Sequence, residues 1–296
     1  GSIIFKFSSF FILLVLVVTS CARPQDSEGN AAGSSSSGSE QSIQVTGSDT
    51  MVNLGQAWAE EYTKTNPNAY IAVGGGGSGV GIAALMNGTA DLANSSRAIK
   101  DKEISKANEL GFGIKEYIVG WDGLAVVVHP DNPVNQLSIL QIAEIFTAKI
   151  TNWKEVGGDD LEIVLLSREV NSGTHVYFKE NVVGSLGKGT EFSEEALLMP
   201  SSQALADEVT NNIGAIGYYG MGYLSPSQKP IDVSVDGVVF VPPTIGNVLN
   251  KTYPIARPLH MFSRDNISAA AKAYIEWIMG EGGQAVVAAQ DFVPLS

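Results

Sequence analysis

Three short segments carry the residue types that hold a small anion. They are Gly47-Ser48-Asp49-Thr50-Met51, the glycine run from Gly74 to Gly81 with Ser78 inside it, and Arg168-Glu169-Val170-Asn171-Ser172-Gly173-Thr174. Each shares one layout: a strand pattern ends, small polar residues turn the chain, and a helix pattern begins. A helix N-terminus presents unpaired backbone N–H groups and a partial positive charge. Glycine lets an anion approach those groups closely, and Ser and Thr hydroxyls add donors. Arg168 brings a planar fork of N–H groups suited to a tetrahedral oxyanion. Taken singly, each segment has an ordinary explanation. Ser48, Asp49 and Thr50, and equally Asn171 to Thr174, read as helix caps; Arg168 reads as a surface ion pair, and the glycine run as a linker. Together they point to one shared oxyanion.

Other chemistries fit less well. Gly74, Gly76 and Gly79 satisfy G-x-G-x-x-G after a strand, and Asp91 lies 17 residues beyond Gly74, as in a dinucleotide fingerprint. A strand–helix unit already precedes this run, however, and four consecutive glycines are atypical of that motif. The GSLGKG at 184–189 has the wrong glycine spacing for a phosphate-binding P-loop, and Lys188 is followed by Gly. The histidines are His129, His175 and His260, with no HExxH, and there is one cysteine. No metal site, internal disulfide or cofactor is therefore expected. Ser172 and His175 stand three apart without a third partner, and no G-x-S-x-G occurs, so no catalytic residue is assigned. The net charge of −13 argues against a basic nucleic-acid face. It does not bar one small anion, because local dipoles can oppose the global charge.

The elements that must position these loops follow an α/β alternation. The 296 residues are 44% apolar and 17% charged, enough for one large domain or two modest ones. Strands are expected at 43–47, 69–73, 90–93, 117–129, 163–166, 215–219, 238–241 and 257–262. Helices are expected at 51–64, 82–86, 138–148, 174–181, 202–211 and 267–279. This pattern implies largely parallel sheets and two α/β lobes with a cleft between them. Ahead of them, Lys6 and the nine apolar residues 10–18 read as a secretory signal, too short to span a membrane. Residues 22–42 are Ser/Gly-rich and read as a flexible tether. Val18-Thr19-Ser20-Cys21 resembles a bacterial lipobox, which implies a lipidated Cys21.

The sequence resembles the phosphate-binding proteins of bacterial phosphate ABC transporters, the PstS family, in their shorter lipoprotein form. The resemblance spans 43–296 and rests on GSDTM at 47–51, GGGSGVGI at 75–82, ADLANSSR at 90–97 and SREVNSGT at 167–174. GAIGYYGMGYL at 214–224, YPIARPLHMF at 253–262 and FVPL at 292–295 add to it. It implies a two-lobed, type II periplasmic-binding-protein fold, each lobe a mainly parallel sheet flanked by helices, with the ligand cleft between them. The implied organisation is a signal over 1–20, Cys21 and a tether over 21–42, lobe I over 43–124 plus 249–296, and lobe II over 125–248.

The implied function is capture of inorganic phosphate and delivery to an ABC permease, by a monomer tethered to the cell envelope through its lipid. Thr50 and Met51, the latter through its backbone, Ser78 and Asp91 are the implied contacts from lobe I, with Arg168, Ser172, Gly173 and Thr174 from lobe II. Ser48, Gly79, Ser96 and Arg97 are implied neighbours. Asp91 is the implied acceptor of the phosphate's own proton, which would favour phosphate over sulfate. The sequence departs from the family at Asn171, where many relatives carry Gly, and at Val170, where some carry an acid that pairs with the arginine; either Glu169 or another acid replaces it, or Arg168 is less restrained. Ser95-Ser96 leaves the register after Asp91 ambiguous by one. Competing readings are a protein for another oxyanion such as sulfate, or a sensing or adhesion protein on the same fold.

Overall fold

The computed structural model describes residues 41–295. The expected signal, Cys21 and nearly all of the expected tether lie outside them. Along the chain run β1 (Gln41–Gly47), α1 (Val52–Thr65), β2 (Ala69–Gly76), α2 (Ser78–Asn87), β3 (Leu92–Ser95), α3 (Asp101–Glu109) and β4 (Ile114–Val128). β5 (Gln136–Ser138), α4 (Ile139–Phe146), β6 (Val164–Arg168), α5 (Gly173–Asn181), β7 (Leu197–Met199), α6 (Ser202–Asn211) and β8 (Ala215–Gly220) follow. The series closes with β9 (Lys229–Pro230), β10 (Asp232–Ser234), α7 (Ile245–Leu249), β11 (Ala256–Arg264), α8 (Ala269–Met279) and α9 (Glu281–Ala289).

One sheet runs in the order β2-β1-β3-β11-β4-β8-β6-β7, with β9 beside β4. β1 pairs in parallel with β2 and β3, and β6 in parallel with β7 and β8. β4 joins these two groups. Its residues Ile114 to Gly123 pair with β11, and Leu124 to Val128 pair with β8. A single 15-residue strand thus belongs to both halves of the sheet. The pairings of β4 with β11 and β8, and of β11 with β3, are antiparallel. The sheet is therefore mixed at its centre rather than mainly parallel throughout, because the chain leaves the first half along β4 and returns along β11.

Each half has its own core. In the first, Leu54, Trp58 and Tyr62 fall at i, i+4 and i+8 on one face of α1 and pack with Ile43 and Val45 of β1 and with Tyr274, Ile275 and Ile278 of α8. In the second, the run Leu124 to Val128 is buried on both faces. Leu124, Val126 and Val128 meet Ile142, Phe146, Phe178 and Tyr218, while Ala125 and Val127 meet Leu166, Leu205 and Val209. That double burial explains a continuous apolar run in place of alternation. Tyr253 and Ile255 also pack in the second core, and Leu124 N donates to Ile255 O at 2.7 Å. The packing of the returning chain changes halves at about Ala256, later than the Leu249 expected from sequence. The C-terminal segment is tied to the same region: Trp121 and Val293 exchange both backbone hydrogen bonds, at 2.7 and 2.9 Å.

Other differences are local. β1 starts two residues early, at Gln41. Gly74 to Gly76 extend β2 instead of forming a loop. Residues 238–241 form no strand: Val238 and Val239 are exposed, their amides donate to Asp236 Oδ1 at 2.8 and 3.0 Å, and Val241 alone bridges to Val233. α3, α7 and α9 were not expected. α3 is almost wholly polar on its surface, with Ala107 alone buried, and starts where Lys100 N donates to Glu103 Oε2 at 2.8 Å.

α2 lies hard against β1. A Cβ added to Gly81 would stand 2.5 Å from Gly47 Cα and 2.6 Å from Thr46 O, both backbone atoms. Helix propensity alone would reward Gly81→Ala by about 1 kcal/mol. The clash should dominate, so the substitution is expected to lower stability by roughly 1–3 kcal/mol. Urea unfolding checks this; an unchanged or raised midpoint would show that α2 can move away without cost.

Candidate anion-binding site

The three segments lie where strands end and helices begin, at the carboxyl edge of the sheet, the usual ligand edge of open α/β folds. Gly47, at φ 141°, ends β1, and a Cβ there would lie 2.1 Å from Asn94 O, so only glycine fits. Ser48 N then donates to Asn94 O at 2.8 Å, and a short 3-10 turn leads into α1. Gly77, at φ 107°, turns β2 into α2, whose first residue is Ser78. β3 ends at Ser95 and delivers Ser96. β6 ends on Arg168, and Ser172 caps α5 by accepting from His175 N at 3.3 Å.

Hydroxyls from both halves converge. Ser48 Oγ donates to Ser96 Oγ at 2.9 Å, Ser78 and Ser96 Oγ are 3.3 Å apart, and Ser96 Oγ is 3.5 Å from Thr174 Oγ1. Thr50 and Thr174 hydroxyls meet at 2.7 Å. Ser96 N donates to Ser78 Oγ at 3.0 Å. Ser48, Thr50, Ser78, Ser96, Ser172 and Thr174 are all buried. Gly173 must be glycine, since a Cβ would fall 2.2 Å from Ser78 Oγ and 2.7 Å from Ser96 Oγ. Asn171 fastens the two halves: its O accepts from Gly79 N at 3.1 Å and its Nδ2 donates to Gly76 O at 2.7 Å.

Two buried arginines flank this cluster. Arg168 donates from Nε to Met199 O at 3.1 Å, from Nη1 to Ser202 Oγ at 3.0 Å and from Nη2 to Pro200 O at 3.3 Å. Its acid partner is Asp49, at 3.4 Å, while Glu169 is exposed. The acid that pairs with Arg168 thus comes from the other half of the molecule. Burial draws the guanidinium below its ordinary pKa against the pull of Asp49, but an arginine stays protonated. The second is Arg257, which sequence reasoning left unassigned inside YPIARPLHMF. It donates from Nε and Nη2 to Asp122 Oδ2 at 3.0 and 2.8 Å, from Nη1 to Ser96 O at 2.9 Å and from Nη2 to Thr174 Oγ1 at 3.0 Å. The available signal was a charged residue at an inward position of an apolar strand.

Three of the expected site residues stand elsewhere or are otherwise engaged. Asp91 is exposed and accepts from Gln44 N at 2.7 Å. It precedes β3, whereas the hydroxyls gather beyond its end; four residues of strand at ~3.3 Å each hold the two apart. Asp91 is therefore not part of the cluster, and Ser96, at the far end of that strand, is. Arg97 turns toward α3 and holds Glu103 with both terminal nitrogens, at 2.9 and 2.7 Å. Met51 buries its side chain in the first core, and its amide donates to Ser48 O at 3.1 Å.

The arrangement suits binding rather than bond breaking. Ser172 Oγ is used by the α5 cap, and the His175 ring faces Ser167, with Nδ1 at 3.3 Å from Ser167 Oγ, so the two do not form a nucleophile–base pair. Among the described residues no group of three or more His, Cys, Asp or Glu is placed to hold a metal ion.

The chain is similar to several known proteins. The PBP superfamily domain matches residues 30–281. The phosphate-binding protein PstS of Pseudomonas aeruginosa is 33% identical, over 88% of this chain and 84% of its own length. PstS of Bacillus subtilis is 32% identical, over 86% and 81%. Among solved structures, a Clostridium perfringens chain described as a phosphate ABC transporter substrate-binding protein with bound phosphate superposes with a TM-score of 0.79. It is 34% identical over 86% of this chain and all of its own. An ABC-type phosphate transport receptor from Vibrio cholerae gives a TM-score of 0.68 at 30% identity, over 85% and 99%.

The buried His175 makes stability depend on pH. Burial holds its pKa below the ordinary 6.5, so the folded state takes up its proton later than the unfolded chain. Its contribution is complete above pH 6.5 and is lost as pH falls below that value, by up to about 1.4 kcal/mol per pH unit. His175→Gln is expected to lose less stability than the parent between pH 7.5 and pH 5.5. Urea midpoints at the two pH values test this; equal losses would refute it.

Proposed function

This chain belongs to the PstS family of phosphate-binding proteins within the PBP superfamily, and from that premise we propose that it captures inorganic phosphate between its two halves and delivers it to an ABC permease. The observation that carries the reading is the meeting of Thr50 and Ser96 from one half with Thr174 from the other, with Gly173 against Ser78 and Ser96 and with Arg168 facing Asp49, the neighbour of Thr50. The hydroxyls supply donors, the start of α5 adds backbone N–H groups and dipole, and Arg168 supplies charge. A net charge of −13 does not oppose this, because the anion meets only these local donors.

In the proposed cycle, the halves open about the region where β4 and β11 pass between them, phosphate enters, and closure surrounds it with donors from both sides. Docking on the permease favours the open form and releases the ligand. The lobes are assigned as 43–124 with the C-terminal return, and 125–248 with the segment up to Ile255. Secretion through a signal over 1–20 and lipid attachment at Cys21 complete the proposal and place a monomeric receptor on the outer side of a membrane. They rest on the sequence of residues 1–21 alone.

Isothermal titration of the chain, stripped of bound anion, should show one phosphate per molecule with a Kd at or below ~1 μM, about −8 kcal/mol. Arg168→Ala removes charge-assisted donors worth ~1.5–3 kcal/mol each and should weaken binding by roughly 100-fold. Absence of phosphate binding by the parent chain, or an alanine variant that binds as tightly as the parent, would defeat the assignment.

A further inference from the structure

We infer that Asp49 is a latch between the two halves: acting through Arg168 as a positioning residue, it holds the chain shut between anions and slows the release of a bound one. The inference rests on the reading of the hydroxyl cluster as the phosphate site. The Arg168 side chain is only 1% exposed, and three of its contacts lie within its own half. Met199 O, Ser202 Oγ and Pro200 O accept from Nε, Nη1 and Nη2 in turn. These acceptors are neutral, so they fix where the guanidinium points without supplying a counter-charge. Among the described residues its one acid partner is Asp49, which follows β1 in the first half. When the halves part, the neutral anchors stay with Arg168 and the counter-charge leaves.

The second half grips Asp49 at three points. Its Oδ2 accepts from Ser202 N at 2.7 Å. Ser202 is the first residue of α6, and the positive end of a helix favours a carboxylate. The same oxygen faces Arg168 Nη2 at 3.4 Å. The backbone O of Asp49 accepts from the Tyr223 hydroxyl at 2.9 Å. Arg168 Nη1 in turn donates to Ser202 Oγ at 3.0 Å, so Asp49, Arg168 and Ser202 form a closed triangle that spans both halves.

The bonds from Ser202 N and Tyr223 to Asp49 need no anion. Closure gains them whether or not a ligand is present, and contacts that favour the binding-competent form raise its population and the apparent affinity. Leaving a buried cation without its acid is costly, so the separation of Arg168 from Asp49 also opposes opening. The latch does not use up the arginine. Its three neutral acceptors leave one N–H on each terminal nitrogen, so Arg168 can face Asp49 and an anion together.

The test is small-angle X-ray scattering of the full chain, first stripped of anion and then saturated with sodium phosphate, together with stopped-flow measurement of phosphate release. The anion-free parent is expected to match the phosphate-saturated parent in radius of gyration. Anion-free Asp49→Ala should be larger and should contract when phosphate is added, and it should release phosphate faster by roughly tenfold or more. Asp49→Asn keeps an oxygen for Ser202 N but loses the charge facing Arg168, so its release rate should fall between the two. Tyr223→Phe removes one bond to Asp49 and alters no group of the cluster; it should shift both readouts in the same direction, which keeps the test open where an Asp49 variant fails to fold. An anion-free parent larger than the phosphate-saturated one would overturn the inference. So would variants that lower the urea midpoint yet keep the parent's scattering and release rate, since Asp49 would then be structural only. An Asp49→Asn chain that stays shut but admits sulfate would also overturn it, by making Asp49 a reader of the phosphate proton. A parent that binds no phosphate would defeat the phosphate reading, while the scattering of the anion-free parent and variants would still decide the latch.

Discussion

The buried ion pair between Asp122 and Arg257 is the constraint on which the site depends. The two residues are register partners on β4 and β11, one residue before β4 exchanges β11 for β8. Both are almost completely excluded from solvent. Taking such charges out of water is costly unless each finds a partner and further hydrogen bonds, and removing one member of such a pair costs ~3–5 kcal/mol. Here the remaining capacity is spent across the boundary: on Ser96 O from the first half, and on Thr174 Oγ1 and Met221 N from the second. The place where the sheet changes hands and the place where the hydroxyls meet are thus one connected polar network in an otherwise apolar region.

In the proposed function, this connection is how an acidic protein holds an anion. Charge is dilute along the chain, and the two arginines nearest the hydroxyls each face an acid, Arg168 with Asp49 and Arg257 with Asp122. Neutral donors fixed by the fold do the rest: hydroxyls, the amides at the start of α2 and α5, and their dipoles. Such donors cost little to reorganise, because Gly47, Gly77 and Gly173 sit where no side chain fits or where the backbone turns through positive φ. The contact of Arg168 with Asp49 also means that the second half's principal cation is held partly by the first half, so separation of the halves alters the charge around Arg168 as well as its distance from the hydroxyls.

Much of this is legible in the sequence. Strand–helix alternation marked most of the sheet, and the small polar residues at strand ends marked Ser48, Thr50, Ser78, Ser172, Gly173 and Thr174, since capping chemistry and anion chemistry need the same residue types. Asp91 misled because a one-dimensional reading does not show which end of a four-residue strand faces the cleft. Arg257 was missed because its purpose depends on a partner 135 positions away, and neither β pattern nor motif spacing reports such a pairing. α3 escaped notice because its residues are polar overall and only Ala107 is buried, so it carries little apolar content to mark it. Residues 238–241 look like a strand from their valines, yet only Val241 pairs, with Val233, while Val238 and Val239 stay exposed.

The position of β11 has a consequence for assembly in time. It comes from residues 256–264, yet it fills the gap between β3 and β4, whose own residues lie more than a hundred positions earlier. Until that late segment exists, the first half has the β2-β1-β3 ribbon with one edge open and no partner for the opening stretch of β4. The second half, by contrast, has β4, β6, β7 and β8 in hand by Gly220. Contacts of such sequence separation are slow to form, because a long loop must close before they are rewarded. The first half is therefore completed only when the strand that is inserted into its middle has been made. The hydroxyl cluster, which needs both halves, is complete only once both have formed.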